Sequence, residues 1–377
     1  MAEPVERGVS NLELFFDLVF VFTLTQLTSL LEHGVSVEAA IRTALILTVL
    51  FWMYGGFVWL TNQVPPDNTP RKLLLLVGMG ALLICAMAIP RAFDDRGVAF
   101  GIGYLLVVIV HGGLYIEAYG AAALRFVPAN IVGALSVTAA GFFGGLVAYA
   151  LWVAAIVLQF SAQLLLRFLE RGQPAGFDLR PAHFVERHDL LLLIAFGESV
   201  VATGIGASGL VFDAGVAGAA LLGLALTAAL WWTHFGDDDD RAERTLRSAA
   251  VPERAQMAIN AYFYAYIVML FGVIAIAAGV RLSLEHVTDA LVLGSALLLA
   301  GGVALYLAGD GVFRRVMRVG PARYRAVAAI LSLGAAVLGV AVSAAAALAT
   351  LVALVIATLV FEGRRLEGAG SAPRARS

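Results

Sequence analysis

Runs of about 20 apolar residues follow one another along almost the whole chain, and that recurrence limits the fold more than any other feature. About 20 such residues are what a helix needs to cross the hydrocarbon of a bilayer. With 377 residues, 61% hydrophobic and 14% charged, the chain is too apolar for a soluble domain, where about a quarter of residues are charged. The fold class read from this pattern is an all-α polytopic membrane protein. Twelve helices are expected, near 12–32, 37–62, 71–90, 98–120, 128–146, 148–169, 184–207, 213–236, 254–280, 288–309, 322–343 and 345–362.

No basic stretch or Ala-x-Ala site marks the N-terminus, and the first run carries Glu13 and Asp17, so it reads as a retained helix and not as a signal peptide. Basic residues set the orientation. Arg42, Arg91, Arg96 and Arg281 fall on one side, and the other 21 of the 25 fall on the opposite side. An even number of helices with both termini cytoplasmic fits that bias. The single cysteine, Cys85, allows neither an intramolecular disulfide nor a cysteine metal cluster. A net charge of −2 gives no reason to expect a nucleic-acid partner.

The chain also resembles itself. At an offset of 172 residues Asp17 maps to Asp189, Gln26 to Glu198, Trp59 to Trp231, Thr61 to Thr233 and Asn62 to His234. Further on, Gly112-Gly113 corresponds to Gly301-Gly302, after a loop at 237–256 present only in the second half. Two six-helix halves would insert in the same sense, a parallel repeat of the kind from which many transporters are built. The domains expected are a cytoplasmic segment 1–11, a first repeat 12–170, a linker 171–183, a second repeat 184–362 and a disordered tail 363–377.

The polar residues inside the apolar runs are the functional candidates, because a carboxylate at hydrocarbon depth costs roughly 2.5–3.5 kcal/mol and normally faces protein or water. Glu13 and Asp17 are four apart on one helix face. They suit the positive end of the helix dipole, a polar cluster that locks helices together, or a proton sensor. Gln26 lies further along the same helix. Glu186, Arg187, His188 and Asp189 crowd the mouth of the seventh helix as an ion cluster. Glu198 lies nine residues beyond Asp189, about 13 Å along the axis, and Ala195, Ser199 and Thr203 form a small-residue face beside it. Glu198 is the first choice for function, with a buried structural role as the alternative.

Helices two and eight end in Trp59-Leu60-Thr61-Asn62 and Trp231-Trp232-Thr233-His234. The tryptophans are interfacial anchors, while Asn62 and His234 are expected within reach of Asp17 and Asp189, where a His–carboxylate pair titrates near neutral pH. Residues 237–240 read as a solvated helix end. His111, Glu117, Tyr262 and Tyr266 are secondary candidates: the first two are six apart and share no face cleanly, the last two are four apart and share one. No pair reaches metal-ligand spacing such as His-x-x-x-His. No metal, cofactor or catalytic residue is assigned.

The segments Leu12-Glu13-Leu14-Phe15-Phe16-Asp17-Leu18-Val19-Phe20 and Glu186-Arg187-His188 through Gly197-Glu198-Ser199-Val200 resemble the bacterial low temperature requirement protein A family, as do Trp231-Trp232 and the helix around Tyr262 and Tyr266. The resemblance implies a multi-pass protein of the bacterial cytoplasmic (inner) membrane, in a family without an established biochemical activity. Separately, Phe16-Asp17-Leu18-Val19-Phe20 with Thr25 is similar to the first-helix Phe-Ser-Asp signature of a cation-channel family, which implies a pore with Phe22 and Ile194 near its constriction. Phe16 stands where that family has serine, and Glu13 near its arginine.

The leading expectation is a non-enzymatic transporter or channel-like protein for a small solute or ion, using Asp17, Gln26, Asp189 and Glu198. The alternatives are an intramembrane lipid- or isoprenoid-processing enzyme, with His188, Asp189 and His234 at the interface, and a scaffold whose polar residues only fix packing. The partners expected are membrane lipids, the solute or ion, and a second copy of the chain as a homodimer.

Overall fold

The computed structural model describes residues 8–169, 179–211, 213–236 and 238–370. Those residues are mostly helical, joined by short turns and links, with no strand among them. The helices are α1 (Asn11–His33), α2 (Val37–Gln63), α3 (Thr69–Ala88), α4 (Gly97–Tyr119), α5 (Val127–Ala140), α6 (Gly145–Leu169), α7 (Pro181–Ser208) and α8 (Ala214–Phe235). They continue as α9 (Asp238–Ser248), α10 (Val251–Ile259), α11 (Tyr266–Glu285), α12 (Leu293–Met317), α13 (Arg323–Ser332), α14 (Gly334–Ala341) and α15 (Ala344–Gly370). Ten spans among the described residues are long and apolar enough to cross a membrane, and Val127–Ala140 and Gly145–Ser161 are shorter apolar helices.

Three expectations change. The acidic-basic segment 237–256 is not a loop: α9 and the start of α10 occupy it, because charged residues four apart, such as Glu243 and Arg247, pair along a helix at 2.6 Å. The helix expected at 254–280 contains a π-helical turn at Asn260–Ala265 between α10 and α11, which apolar periodicity does not register. The tail does not all leave the fold, since α15 runs on to Gly370; residues 371–377, and 171–178 of the expected linker, lie outside the described residues.

Helix starts follow side-chain chemistry. Ser10 caps α1, and Glu13 returns a carboxylate oxygen to the Ser10 amide at 3.0 Å, closing a capping box. Ser36, Asn68 and Asp213 accept amides at the starts of α2, α3 and α8. Close helix crossings are made by glycine. A Cβ on Gly101 would lie 2.3 Å from the Thr138 backbone, so α4 and α5 touch backbone to backbone. Gly279 does the same on α11, where a Cβ would meet the Leu299 backbone of α12 at 2.7 Å.

The chain gathers into two compact units, one of Met1–Ala195 with Glu243–Ile267 and one of Phe196–Ala242 with Val268–Ser377. These units interleave along the chain and are a different division from the sequence halves. In each, large apolar side chains stand outward: Leu73, Val77, Ile84 and Ile109 in the first, Ile330, Val337, Ile356 and Val360 in the second. Full charges lie inside, among them Asp17, Arg187, Asp310 and Arg325. Water would reward the opposite arrangement; hydrocarbon rewards this one.

Candidate functional site

The densest buried charge of the first unit sits where α1, α2 and α7 meet. Arg187, 1% exposed, reaches across from α7. Its Nη2 donates to Asp17 Oδ1 at 3.0 Å and its Nε lies 3.3 Å from both Asp17 oxygens. Its Nη1 donates to Glu13 Oε1 at 3.1 Å and to the Thr61 hydroxyl. The rings of Phe16 and Tyr54 flank the guanidinium, with centroids 5.7 and 6.0 Å away. The spacing of four between Glu13 and Asp17 is what lets one planar fork hold both carboxylates.

His183, one turn before Arg187, completes the group. Its Nε2 lies 3.3 Å from Glu13 Oε1 and 3.4 Å from Oε2, and its Nδ1 lies 3.3 Å from Asn62 Nδ2. Asn62 also grips the chain just before α7, accepting from the Arg180 amide at 2.9 Å and donating to the Arg180 carbonyl at 3.0 Å. The buried set is therefore two carboxylates, one guanidinium and one imidazole. With His183 neutral it carries one negative charge; with His183 protonated it is balanced. A narrow cleft with room for about one water, lined by Thr61, Arg71, Leu75, Leu114 and Glu117 among others, adjoins the cluster through Thr61.

The next turn of α7 is aromatic. His188 Nδ1–H donates to the Phe184 carbonyl at 2.9 Å, and its ring packs among Phe184, Tyr262, Tyr266 and Tyr54, at centroid distances of 4.4, 4.9, 5.6 and 6.3 Å. Tyr262 belongs to the π-helical turn, a feature common at functional sites. Tyr266 donates to Asp189 Oδ1 at 3.0 Å.

Comparison with known proteins covers the segments that form both α1 and α7. Residues 8–360 match the profile of the Bacterial low temperature requirement A protein (LtrA). The chain belongs to the LtrA family. It is also 28% identical over 314 residues to the uncharacterized protein RA0937 of Rhizobium meliloti (strain 1021), an alignment spanning 81% of this chain and 76% of that relative.

Within this LtrA-family chain the sequence candidates scatter. Glu13, Asp17, Asn62 and Arg187 come together as described. Glu186 is exposed and accepts from the Val9 amide at 3.2 Å, apart from the cluster. Gln26 is half-buried nine residues beyond Asp17, and Phe22 and Ile194 are half-buried as well. Glu198 is half-buried, next to a buried Ser199 whose carbonyl accepts from Thr203 at 2.8 Å. Glu117 is exposed and forked by Arg71, with the shortest contact 2.9 Å. His111 is buried against Phe57 and Tyr115, and a Cβ on Gly56 would come within 3.0 Å of its Nε2. Among the described residues no three His, Cys, Asp or Glu are grouped to hold a metal ion.

One expectation is extended and one corrected. His234 meets a carboxylate that the sequence did not single out: its Nδ1 faces Asp310 Oδ1 at 3.4 Å, because α12 brings that carboxylate to the end of α8. Residues 238–240 are not all solvated: Asp238 is buried and paired with Arg314 Nη1 at 2.8 Å. The sequence reading missed His183, Asp310, Arg314, Arg325 and Glu362. Asp310, between two glycines inside an apolar run, carried the same signal as Asp17. Arg314 and Arg325 fall among the basic residues that set orientation, a pattern that carries no sign of burial.

Proposed function

We propose that this LtrA-family protein moves a small solute or ion across the membrane, coupled to proton exchange at the Glu13–Asp17–Arg187–His183 cluster. The observation that carries the reading is the charge balance of that cluster, which lacks one positive charge until His183 takes a proton. A buried group short by one charge exchanges protons when its surroundings change. Proton-relay and substrate sites of membrane carriers are built from such intramembrane acid, arginine and histidine sets. In this reading the narrow cleft beside Thr61 is the approach for water from the Arg71–Glu117 mouth, and the protein is not an enzyme.

The proposal includes the membrane arrangement: twelve passes as two parallel six-helix repeats in the bacterial cytoplasmic membrane, both termini cytoplasmic, the chain acting alone or as a homodimer. Thr61-Asn62 and Thr233-His234, paired at offset 172, support the repeat, since each contributes to a buried ion cluster. Arg187 donates to Thr61 and Arg325 Nη2 donates to the Thr233 carbonyl at 3.1 Å.

Purified protein in liposomes, with a pH gradient imposed, tests the reading. The wild type is expected to dissipate the gradient and Asp17→Asn and His183→Gln to slow it at least about tenfold. Equal rates in folded Asp17→Asn and His183→Gln proteins and the wild type would remove the cluster from any transport mechanism.

A further inference from the structure

The second unit holds a buried ion cluster of its own, built from five helices. Asp310 and Arg314 come from α12, His234 from α8, Asp238 from α9, Arg325 from α13 and Glu362 from α15. All six are 6% exposed or less. Arg325 Nε lies 3.0 Å from Asp310 Oδ2 and its Nη2 lies 2.9 Å from Glu362 Oε2. Arg314 Nη1 holds Asp238 Oδ2 at 2.8 Å and stands 3.6 Å from Glu362 Oε2. Phe235 and Phe313 pack on the His234 ring, at centroid distances of 5.2 and 4.8 Å.

Three carboxylates here face two guanidiniums, so a neutral His234 leaves one uncompensated negative charge. Burying a charge without a partner is far more costly than burying a matched set. Glu362 Oε1 and Arg325 Nη1 are buried without a hydrogen-bond partner among the described residues. One bound proton restores the balance, and the imidazole already 3.4 Å from Asp310 Oδ1 is placed to hold it. A metal cation is a poor fit, since no three ligating side chains are grouped for one among the described residues.

We infer that the second unit contains a separate proton-binding site, in which His234 carries one proton against Asp310 and so balances the buried Asp238–Asp310–Arg314–Arg325–Glu362 cluster. The proton ties α8 to α12 and, through Arg325 and Glu362, α13 to α15. This site stands on its own geometry, and its test reads protonation, so a failure of the transport reading leaves it intact.

The experiment is nitrogen NMR of the full chain in detergent micelles, with histidine labelled on the ring. The sequence has six histidines, and the peak lost in His234→Gln assigns the one of interest. At neutral pH the wild-type His234 is expected to show imidazolium shifts and to keep them to the upper end of the range between about pH 5 and pH 8. Asp310→Asn removes the negative charge the proton balances, and should return the peak to neutral imidazole at the same pH. Should that variant fail to fold, Glu362→Gln removes a charge from the same set at its edge and should shift the titration in the same direction. A neutral His234 throughout that range overturns the inference, as does a titration unmoved by both variants. So does a peak displaced by about 0.1 M sodium but not by choline at equal ionic strength, which would make the site one for a metal cation.

Discussion

Replacing Arg187 by methionine separates what the first cluster contributes from what it costs. The side chain is 1% exposed and holds Asp17 at 3.0 Å, Glu13 at 3.1 Å and the Thr61 hydroxyl. Arg187→Met leaves Asp17, fully buried, and Glu13, nearly so, facing each other with the His183 imidazole beside Glu13 in place of the guanidinium that bridged them. Breaking a buried ion pair from one side costs about 3–5 kcal/mol, which is roughly 150- to 4,000-fold in the folding equilibrium at about 1.4 kcal/mol per decade. The assay is SDS titration of the purified protein in mixed micelles, followed by fluorescence of its 5 tryptophans. The triple variant Glu13→Gln, Asp17→Leu, Arg187→Met removes all three charges while keeping a side chain at Glu13 that completes the capping box. It should fall within about 1 kcal/mol of the wild type or exceed it, since apolar replacements of buried ion triads are commonly neutral or stabilising. The reasoning is refuted if Arg187→Met costs less than about 1 kcal/mol, or if the triple variant is as unstable as the single one.

The same titration checks two further expectations. Gly101→Ala places a Cβ 2.3 Å from the Thr138 backbone and should cost about 1–3 kcal/mol by overpacking the α4–α5 crossing, whereas Gly80→Ala, with open space around its Cβ, should stabilise α3 by about 0.5–1 kcal/mol. Glu117→Gln weakens only an exposed pair with Arg71, its carboxylate side 46% accessible. It should change stability by less than about 1 kcal/mol, and a larger loss would show that this pair is part of the fold's support.

The sequence made the helices legible and left their partners obscure. Apolar run length is local, so the ends of α1, α2, α4 and α8 fell within a residue or two of their place. The π-helical turn at Asn260–Ala265 and the break that separates α13 from α14 after Ser332 fell inside runs whose apolar pattern continues across them. Glu13 and Asp17 were visible as candidates because a carboxylate in a greasy run is anomalous by itself. Their counterion was not, since Arg187 lies 170 residues from Asp17 and its pairing is a tertiary fact. Glu198 shows the limit of depth as a guide: the residue chosen first from axial distance is half-buried, while Asp310, with the same kind of signal, is completely enclosed. Arginine was the weakest point of the reading. Basic residues that set orientation are normally exposed, yet Arg187 and Arg325 are among the largest fully buried side chains of the described residues.

That last observation bears on which functional reading deserves the first experiment. If the buried charges only fixed helix packing, a matched set would suffice, and each acid would have its arginine. Instead both clusters have one carboxylate more than they have guanidiniums, and in both a histidine stands 3.3–3.4 Å from a carboxylate oxygen. The imbalance is costly in a medium that cannot screen it, and packing alone gives no reason for it. A proton on each histidine does, because it completes the charge balance of its cluster, and the transport proposed above adds that the proton at His183 leaves and returns.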